Sequence, residues 1–205
     1  MDSSNKTHWE KVFTTKTGKE FSWFQDYPKT SVDFLDLFNL PLDANIIDIG
    51  GGDSYFVDAL LTKGYKNIYV LDISETALER AKNRLGEKAS LVHWIVSDII
   101  DYTPDVMFDF WHDRAAFHFL TGEEKINQYL HIAENSVKND GYLILGTFSV
   151  EGPEKCSGLE VMQYTETSMS KQFERGFERI KCITEDHKTP FNTVQNFIFC
   201  SFRKK

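Results

Sequence analysis

A chain of 205 residues is long enough to form one domain with a buried core. Hydrophobic residues make up 41% of the chain and charged residues 26%, which is typical of a globular protein and excludes an intrinsically disordered one. The formal net charge of −8 argues against the basic surface that drives nucleic-acid binding, so we expect no nucleic-acid partner.

The N-terminus and the cysteines indicate where the protein works. The first ten residues are polar, without the apolar stretch of a signal peptide, and no apolar run has the length of a transmembrane helix. Cys156, Cys182 and Cys200 are too few and too scattered for a disulfide framework, and they lack the paired spacing of a zinc site. We therefore expect a monomeric protein of the reducing cytoplasm, with no metal and no membrane partner.

From residue 45 onward the hydrophobic pattern switches repeatedly between strand and helix, which is typical of a βαβ protein. The elements predicted in chain order are strand 45–49, helix 53–63, strand 67–71, a helix from Ser74 to Gly86, strand 91–96, strand 106–111, a helix around 126–137 and strand 141–148.

The pattern changes after the fifth strand. A helix is predicted near 165–173, followed by strands at 177–184 and 193–202 with only a turn between them. Two strands joined in this way form an antiparallel hairpin. The predicted fold class is α/β, a Rossmann-like three-layer sandwich whose seven-stranded sheet is mostly parallel with an antiparallel last strand.

We expect one domain over residues 1–205. Residues 1–40 are rich in aromatic side chains and are predicted to form an N-terminal helical lid, while residues 41–205 form the Rossmann-like core.

A candidate ligand site lies at the ends of the first three strands. Glycines follow the first strand, where an open parallel sheet binds ligands and the backbone must approach closely. Asp72 and Asp98 end the second and third strands, where carboxylates accept hydrogen bonds from a ribose and an adenine amino group. The candidate cofactor-binding residues are Asp48, Gly50, Gly51, Gly52, Asp72, Ile73, Asp98, Ile99 and Trp23.

The register of Asp48, Asp72 and Asp98 with these glycines resembles the motifs of class I S-adenosylmethionine-dependent methyltransferases, and the likeness covers nearly the whole chain. The resemblance implies that S-adenosylmethionine binds at these strand ends and donates its methyl group. Ser54 stands where the usual spacing has a third glycine. A dinucleotide-binding dehydrogenase is the competing hypothesis, and Tyr55 disfavours it because that fingerprint needs glycine or alanine there.

The fourth strand runs into a segment, 112–119, that we interpret as a helix with an Asp-Arg pair at its entrance. In a structural interpretation, Asp113 caps the helix, Arg114 pairs with it, and the histidines fill half-buried positions. In a catalytic interpretation, Asp113 and Arg114 border the methyl-transfer site while His112 or His118 acts as a base.

The same segment resembles the thiopurine methyltransferase group, and more closely a set of bacterial methyltransferases that read Trp-His-Asp-Arg-Ala, Cys-Ser-Gly-Leu and His-x-Thr-Pro. The N-terminal segment with Trp23 resembles the aromatic lid of the thiopurine group. The bacterial set supplies no acceptor to carry over, and we expect a small-molecule acceptor such as a thiol or another soft nucleophile. Protein-lysine methylation is the alternative, and a non-catalytic sensor that binds the cofactor is a third hypothesis. Cys156 is expected to be a spectator and not a nucleophile.

Overall fold

The structure is a computed structural model that describes residues 3–205, with side chains from residue 4 onward. The first two residues of the expected lid lie outside this range. The elements in chain order are α1 (Ser3–Thr15), α2 (Lys29–Asp36), β1 (Asn45–Ile49), α3 (Phe56–Lys63), β2 (Asn67–Asp72), α4 (Glu75–Leu85), β3 (Val92–Val96), β4 (Phe108–Arg114), α5 (Glu123–Ser136), β5 (Val137–Phe148), β6 (Lys155–Cys156), β7 (Leu159–Glu160), α6 (Glu166–Phe173), β8 (Phe177–Lys188) and β9 (Val194–Lys204).

Seven strands form one sheet in the order β3-β2-β1-β4-β5-β9-β8. The neighbours from β3 to β5 are parallel, and β9 runs antiparallel to both β5 and β8. The predicted mostly parallel sheet with an antiparallel last strand is confirmed. The chain moves outward from β1 to β3 and then returns to the other side of β1, so the sheet has a switch point between β1 and β4.

Helices cover both faces of the sheet, because its central strands are apolar on both sides. One core cluster packs α2 and α3 against the sheet, and the other packs α5 and α6 against the opposite face. The predicted three-layer arrangement follows from these two clusters. Within residues 3–205, no helix is both long and apolar enough to cross a membrane.

The prediction of a helix over residues 112–119 is wrong. Strand β4 continues through Arg114, Ala115 turns the chain with a positive φ of 67°, and only a short 3-10 turn, Phe117–Phe119, follows. Consecutive residues of β4 therefore point to opposite faces of the sheet, and helical spacing does not apply to them. His112 and Asp113 are polar but buried in this central strand, so their composition looks like that of a polar helix entrance.

Other boundaries shift by smaller amounts. Helix α3 begins at Phe56 and not at residue 53, because the preceding residues form the turn after the glycines. The hairpin strands β8 and β9 are longer than predicted, with their turn at residues 189–193. The loop after β5 contains a small hairpin, β6 and β7, that the sequence pattern does not reveal.

The hairpin of β8 and β9 is cross-linked. Cys182 and Cys200 are direct partners in the register of the two strands and are joined by a disulfide bond. Their separation of 18 residues in the chain conceals this proximity. Among the described residues, the free cysteine is Cys156, which is buried. A reducing cytoplasmic location stays a prediction.

We expect the disulfide to stabilise the fold by restricting the unfolded chain, by about 3 kcal/mol for a loop of this length. Chemical denaturation with and without a reductant measures the effect. The double variant Cys182→Ala/Cys200→Ala should be as unstable as the reduced protein and should no longer respond to reductant. Equal stability of the oxidised and reduced forms would contradict this expectation.

Candidate functional site

The main cleft lies at the carboxyl ends of β1 to β4, on the switch point of the sheet. A smaller side cavity lies behind the glycine loop. Of the sequence-predicted residues, the main cleft is lined by Trp23, Gly50, Asp72, Ile73, Asp98, Ile99 and Arg114. The side cavity is lined by Asp48, Gly51, Gly52 and His112, and shares Trp23, Gly50 and Arg114 with the main cleft. Asp113 and His118 line neither space.

The glycine loop is shaped by close neighbours. Gly50 has a φ of 63°, and a Cβ built on it would lie 2.6 Å from the Cβ of Ala116. Gly52 has a φ of 47°, and its Cβ would lie 3.1 Å from Oδ2 of Asp72. Both positions combine a left-handed backbone with a close contact, so a side chain at either would close the cleft floor or distort the loop.

Asp72 occupies the position expected for a ribose-binding carboxylate. Its Oδ1 accepts a hydrogen bond from the backbone N–H of Ser74 at 2.8 Å, while the side chain borders the main cleft. Burial raises the pKa of Asp72 to about 7, although the Ser74 N–H acts in the opposite direction. Two hydroxyl donors of a ligand would stabilise the charged form of this carboxylate.

Asp98 lies at the next strand end. It accepts a hydrogen bond from the Ile100 N–H at 3.2 Å, and burial raises its pKa. Ile99 is buried beside it on the wall of the cleft, and Ile73 lines the same wall from the end of β2. The two carboxylates and two isoleucines therefore offer a polar edge and an apolar face that a nucleoside can use.

Asp48 supports the site from below the glycine loop. Its Oδ1 lies 2.7 Å from Nδ1 of His112, and Nε2 of the same ring lies 2.8 Å from the hydroxyl of Ser31. All three side chains are buried. Because both nitrogens of His112 are engaged within the protein, the ring has no free position with which to take a proton from a substrate.

Asp113 points to the opposite face of the sheet from Arg114. Its carboxylate accepts backbone hydrogen bonds from Ala116 at 3.0 Å and Phe117 at 3.1 Å, and a third from the hydroxyl of Tyr129 at 2.8 Å. Burial raises its pKa to about 6, against the effect of these donors. Asp113 thus caps the short turn after β4 and does not pair with Arg114, contrary to the structural interpretation of the sequence.

His118 is fully buried. Its Nδ1 accepts a 3.4 Å hydrogen bond from the Phe148 N–H, and Nε2 has no partner in the structure. Burial, assisted by the charge of Arg114, lowers its pKa to about 3. The ring is therefore neutral and enclosed, and the proposed role of His118 as a base finds no support in the geometry.

Arg114 is the charged side chain that both spaces share. Its Nη1 donates to the Trp23 carbonyl at 3.1 Å, its guanidinium lies 5.0 Å from the ring centre of Phe197, and its Nε is buried without a partner. Burial lowers its pKa to about 10, so the group is a cation at neutral pH. Within residues 4–205, no carboxylate forms an ion pair with it.

Helix α1 roofs the main cleft. Trp9 packs edge-on against Phe119 with ring centres 4.9 Å apart, and Phe21 stacks on Trp23 at 4.7 Å. Phe13, also on α1, lines both spaces. The expected aromatic lid therefore consists of a helix over the cleft and a following segment that carries Trp23.

Glu10 holds helix α1 in place over the cleft, and this role was not predicted from the sequence. Its carboxylate accepts hydrogen bonds from the backbone of Glu75 at 2.6 Å and of Thr76 at 3.3 Å, and from the Ser74 hydroxyl at 3.1 Å. Burial raises its pKa, but these bonds outweigh it and leave the pKa lowered. An acid from another helix caps the N-terminus of α4 here, where the helix dipole favours negative charge. The one signal in the sequence is that the first N–H groups of α4 have no acceptor within the helix and need one from elsewhere.

Comparison with known proteins places this geometry in a family context. Residues 47–145 match the family model described as a methyltransferase domain. This part of the chain is similar to a methyltransferase domain. The matched range includes most of β1 and β5 and all of β2 to β4, so it contains the glycine loop and all three strand-end aspartates. The fold is the Rossmann-like methyltransferase fold predicted from the sequence.

Individual relatives agree on the domain and differ in their acceptors. The chain is 30% identical over 105 residues to malonyl-[acyl-carrier protein] O-methyltransferase 2 of Ilyobacter polytropus, covering 51% of this chain and 39% of that protein. It is 21% identical over 195 residues to human EEF1A lysine methyltransferase 2, covering 86% of this chain and 75% of that protein. The chain thus spans less than half of the first of these relatives.

A solved structure shows the same architecture along the whole chain. The N-methyltransferase NodS from Bradyrhizobium japonicum, in complex with S-adenosylhomocysteine, superposes with a TM-score of 0.71 over 95% of this chain and 97% of that one, at 16% identity. The likeness concerns the fold. The finer resemblance to the thiopurine methyltransferase group stays a prediction.

A metal is not indicated at the site. Among the residues that the structure describes, no group of three or more histidine, cysteine, aspartate or glutamate side chains is arranged to hold a metal ion.

We expect Asp72→Asn to weaken binding of S-adenosylhomocysteine at least tenfold, because bonds to a charged acceptor contribute about 1.5–3 kcal/mol. The same change should stabilise the ligand-free protein at pH 8. The folded-state pKa of about 7 exceeds the ordinary 3.8, so the stability due to this group falls as pH rises through that interval.

Calorimetry and thermal unfolding at pH 4 and pH 8 test both effects, with the exposed Asp140→Asn as the matched control. Unchanged affinity in Asp72→Asn would remove Asp72 from the binding site.

We expect Asp113→Asn to keep activity within a few-fold of wild type, since its carboxylate faces Tyr129 and not the cleft. Asp113→Ala should lose about 3 kcal/mol of stability, because buried donors in the turn and on Tyr129 are left unpaired. Turnover and melting temperature of both variants provide the measurement. A hundredfold loss of kcat/KM in the asparagine variant at normal stability would restore the catalytic interpretation.

Proposed function

We propose that this chain is an enzyme that transfers a methyl group from S-adenosylmethionine to a small-molecule acceptor. The single observation that supports it best is the buried carboxylate of Asp72, which borders the main cleft beside the glycine loop, within the range that matches a methyltransferase model. The backbone N–H groups of Ser74 and Gly52 donate to this carboxylate, yet burial still raises its pKa to about 7. A ligand in the cleft can supply further donors to it.

The residues of the cleft fit the parts of this cofactor. Asp72 would accept hydrogen bonds from the ribose, and Asp98 with Ile99 would hold the adenine. The glycine loop leaves room for the amino acid part, and the aromatic rings of Trp9 and Trp23 suit a sulfonium cation, by about 0.5–2 kcal/mol. When bound, S-adenosylmethionine supplies an electrophilic methyl group.

The protein contributes alignment and exclusion of water. Methyl transfer needs a nucleophile in line with the methyl group, and a fixed geometry removes much of the entropic barrier. The turn at Ala115 and Ala116 forms the floor opposite Gly50, and α1 closes the cleft from above. A closed, aromatic cleft keeps water from the reacting atoms.

The enclosed cleft favours a small acceptor over a protein side chain. Helix α1 covers it with Asn5, Trp9 and Phe13, and Phe119 closes the wall below. Lysine methylation is the second candidate, and the similarity to human EEF1A lysine methyltransferase 2 over 86% of the chain favours it. A sensor without catalysis would bind the cofactor and transfer nothing.

We expect the protein to bind S-adenosylhomocysteine and to transfer label from S-adenosyl-[methyl-³H]methionine to the low-molecular-mass fraction of a cell extract. Calorimetry measures the binding of S-adenosylhomocysteine, and filtration of the reaction products measures the label in small molecules. Label retained only in protein would favour the lysine alternative. Binding without any transfer would favour the sensor.

We expect Glu10→Ala to release S-adenosylhomocysteine roughly fivefold faster, because loss of a helix cap amounts to about 1 kcal/mol and frees the roof. Stopped-flow dissociation measures the rate. Lys11→Ala, an exposed change on the same helix, is the control. Equal rates for the two variants would show that the Glu10 contacts do not hold the cleft closed.

A further inference from the structure

We propose that the acceptor is a carboxylate, bound by Arg114 and methylated as the anion to give a methyl ester. The inference deepens the proposed function and rests on it. Two features of the described residues carry it: the guanidinium of Arg114 in the cleft has no ion-pair partner, and His112, Asp113 and His118 are engaged or enclosed within the protein.

The charge comes from Arg114. Its guanidinium borders both the main cleft and the side cavity, and one of its N–H groups is occupied by the carbonyl of Trp23. One face of the guanidinium lies on the ring of Phe197, and its Nε has no hydrogen-bond partner in the structure. Glu185 and Asp48 attract it only at longer range. A cation with unfilled donors in a half-buried cleft is a receptor for an anion, and the planar guanidinium fits a carboxylate in particular.

Four candidate bases close to this charge in the fold are unsuitable. His112 is engaged at both ring nitrogens, and His118 is neutral, enclosed and outside the cleft. Asp113 faces the other side of the sheet. Cys156 lines the cleft, but burial raises its pKa to about 11, so it is a thiol.

A cleft of this kind selects among nucleophiles. An amine arrives as an ammonium ion, which Arg114 repels, and it needs a base to expose its lone pair. A thiol with an ordinary pKa of about 8.5 is also largely protonated at neutral pH. A carboxyl group, with an ordinary pKa of about 4, is ionised before it binds, and Arg114 holds it in that form.

The reaction balances without proton transfer. One carboxylate oxygen forms a bond to the methyl carbon as the bond from that carbon to the sulfonium sulfur breaks. The sulfur keeps the electron pair and becomes the neutral thioether of S-adenosylhomocysteine. The negative charge of the acceptor and the positive charge of the sulfonium cancel, so no base and no further reactant are required.

The test uses the whole protein, S-adenosyl-[methyl-³H]methionine and the low-molecular-mass fraction of a cell extract. Mild alkali hydrolyses methyl esters and releases their label as volatile methanol, whereas methyl thioethers and N-methyl groups keep it. We expect most of the transferred label to become volatile. Label that resists alkali would overturn the inference while leaving the methyltransferase proposal intact.

Variants test the role of Arg114. In Arg114→Gln, ester formation should fall by about tenfold to a hundredfold, as expected for loss of a charged hydrogen bond, while affinity for S-adenosylhomocysteine stays within threefold. Arg175→Gln, a mostly exposed arginine outside the cleft, is the matched control and should change neither value.

The cofactor also has a carboxylate, and 5′-methylthioadenosine, which lacks the amino acid part, separates the two sources. If Arg114→Gln weakens binding of S-adenosylhomocysteine but not of 5′-methylthioadenosine, Arg114 binds the cofactor and the inference is wrong. If the wild-type protein binds neither compound, the proposed function itself fails.

Discussion

The close packing of two loops at the switch point is the constraint on which the site depends. Gly50 follows β1 and Ala116 follows β4, and they approach so closely that one extra carbon on Gly50 would lie within 2.6 Å of the other residue. Asp113 holds the β4 side of this contact by accepting the N–H groups of Ala116 and Phe117. The tight turn requires a left-handed backbone at Ala115, a conformation that is unfavourable for a residue with a side chain.

That turn explains why Arg114 is free to meet a ligand. Alternation along β4 directs Asp113 toward α5 and Arg114 toward the cleft, so two neighbouring residues of opposite charge do not neutralise each other. An ion pair between them would have neutralised the charge that Arg114 brings to the cleft. The strand geometry therefore decides the electrostatics of the site.

The buried aspartates at the strand ends have different environments. Asp48 pairs with His112, and Asp113 accepts three hydrogen bonds from its surroundings. Asp72 has the poorest compensation and the pKa raised furthest, to about 7, whereas Asp113 is raised to about 6. Of these three aspartates, the least satisfied is Asp72, which borders the main cleft, where a ligand can supply further donors.

Much of the fold could be predicted from the sequence, because the helices and strands follow from patterns of neighbouring residues in the chain. The apolar runs of the strands and the glycines after β1 gave the parallel sheet, its strand-end acids and the final hairpin. Six of the nine proposed cofactor residues line the main cleft and the other three line the side cavity, because the carboxyl ends of parallel strands must meet at one edge. The helix proposed after β4 failed, since a buried polar strand and a helix entrance have similar composition.

The sequence by itself therefore determined the class of fold and predicted where the cofactor binds, and both follow from periodicity and chain direction. Only the tertiary structure decided which polar residues face the cleft. It enclosed His112 and His118, turned Asp113 away, left Arg114 unpaired, brought Glu10 to the start of α4 and joined Cys182 to Cys200. Each of these outcomes depends on contacts between residues distant in the chain, and such contacts leave no periodic signal.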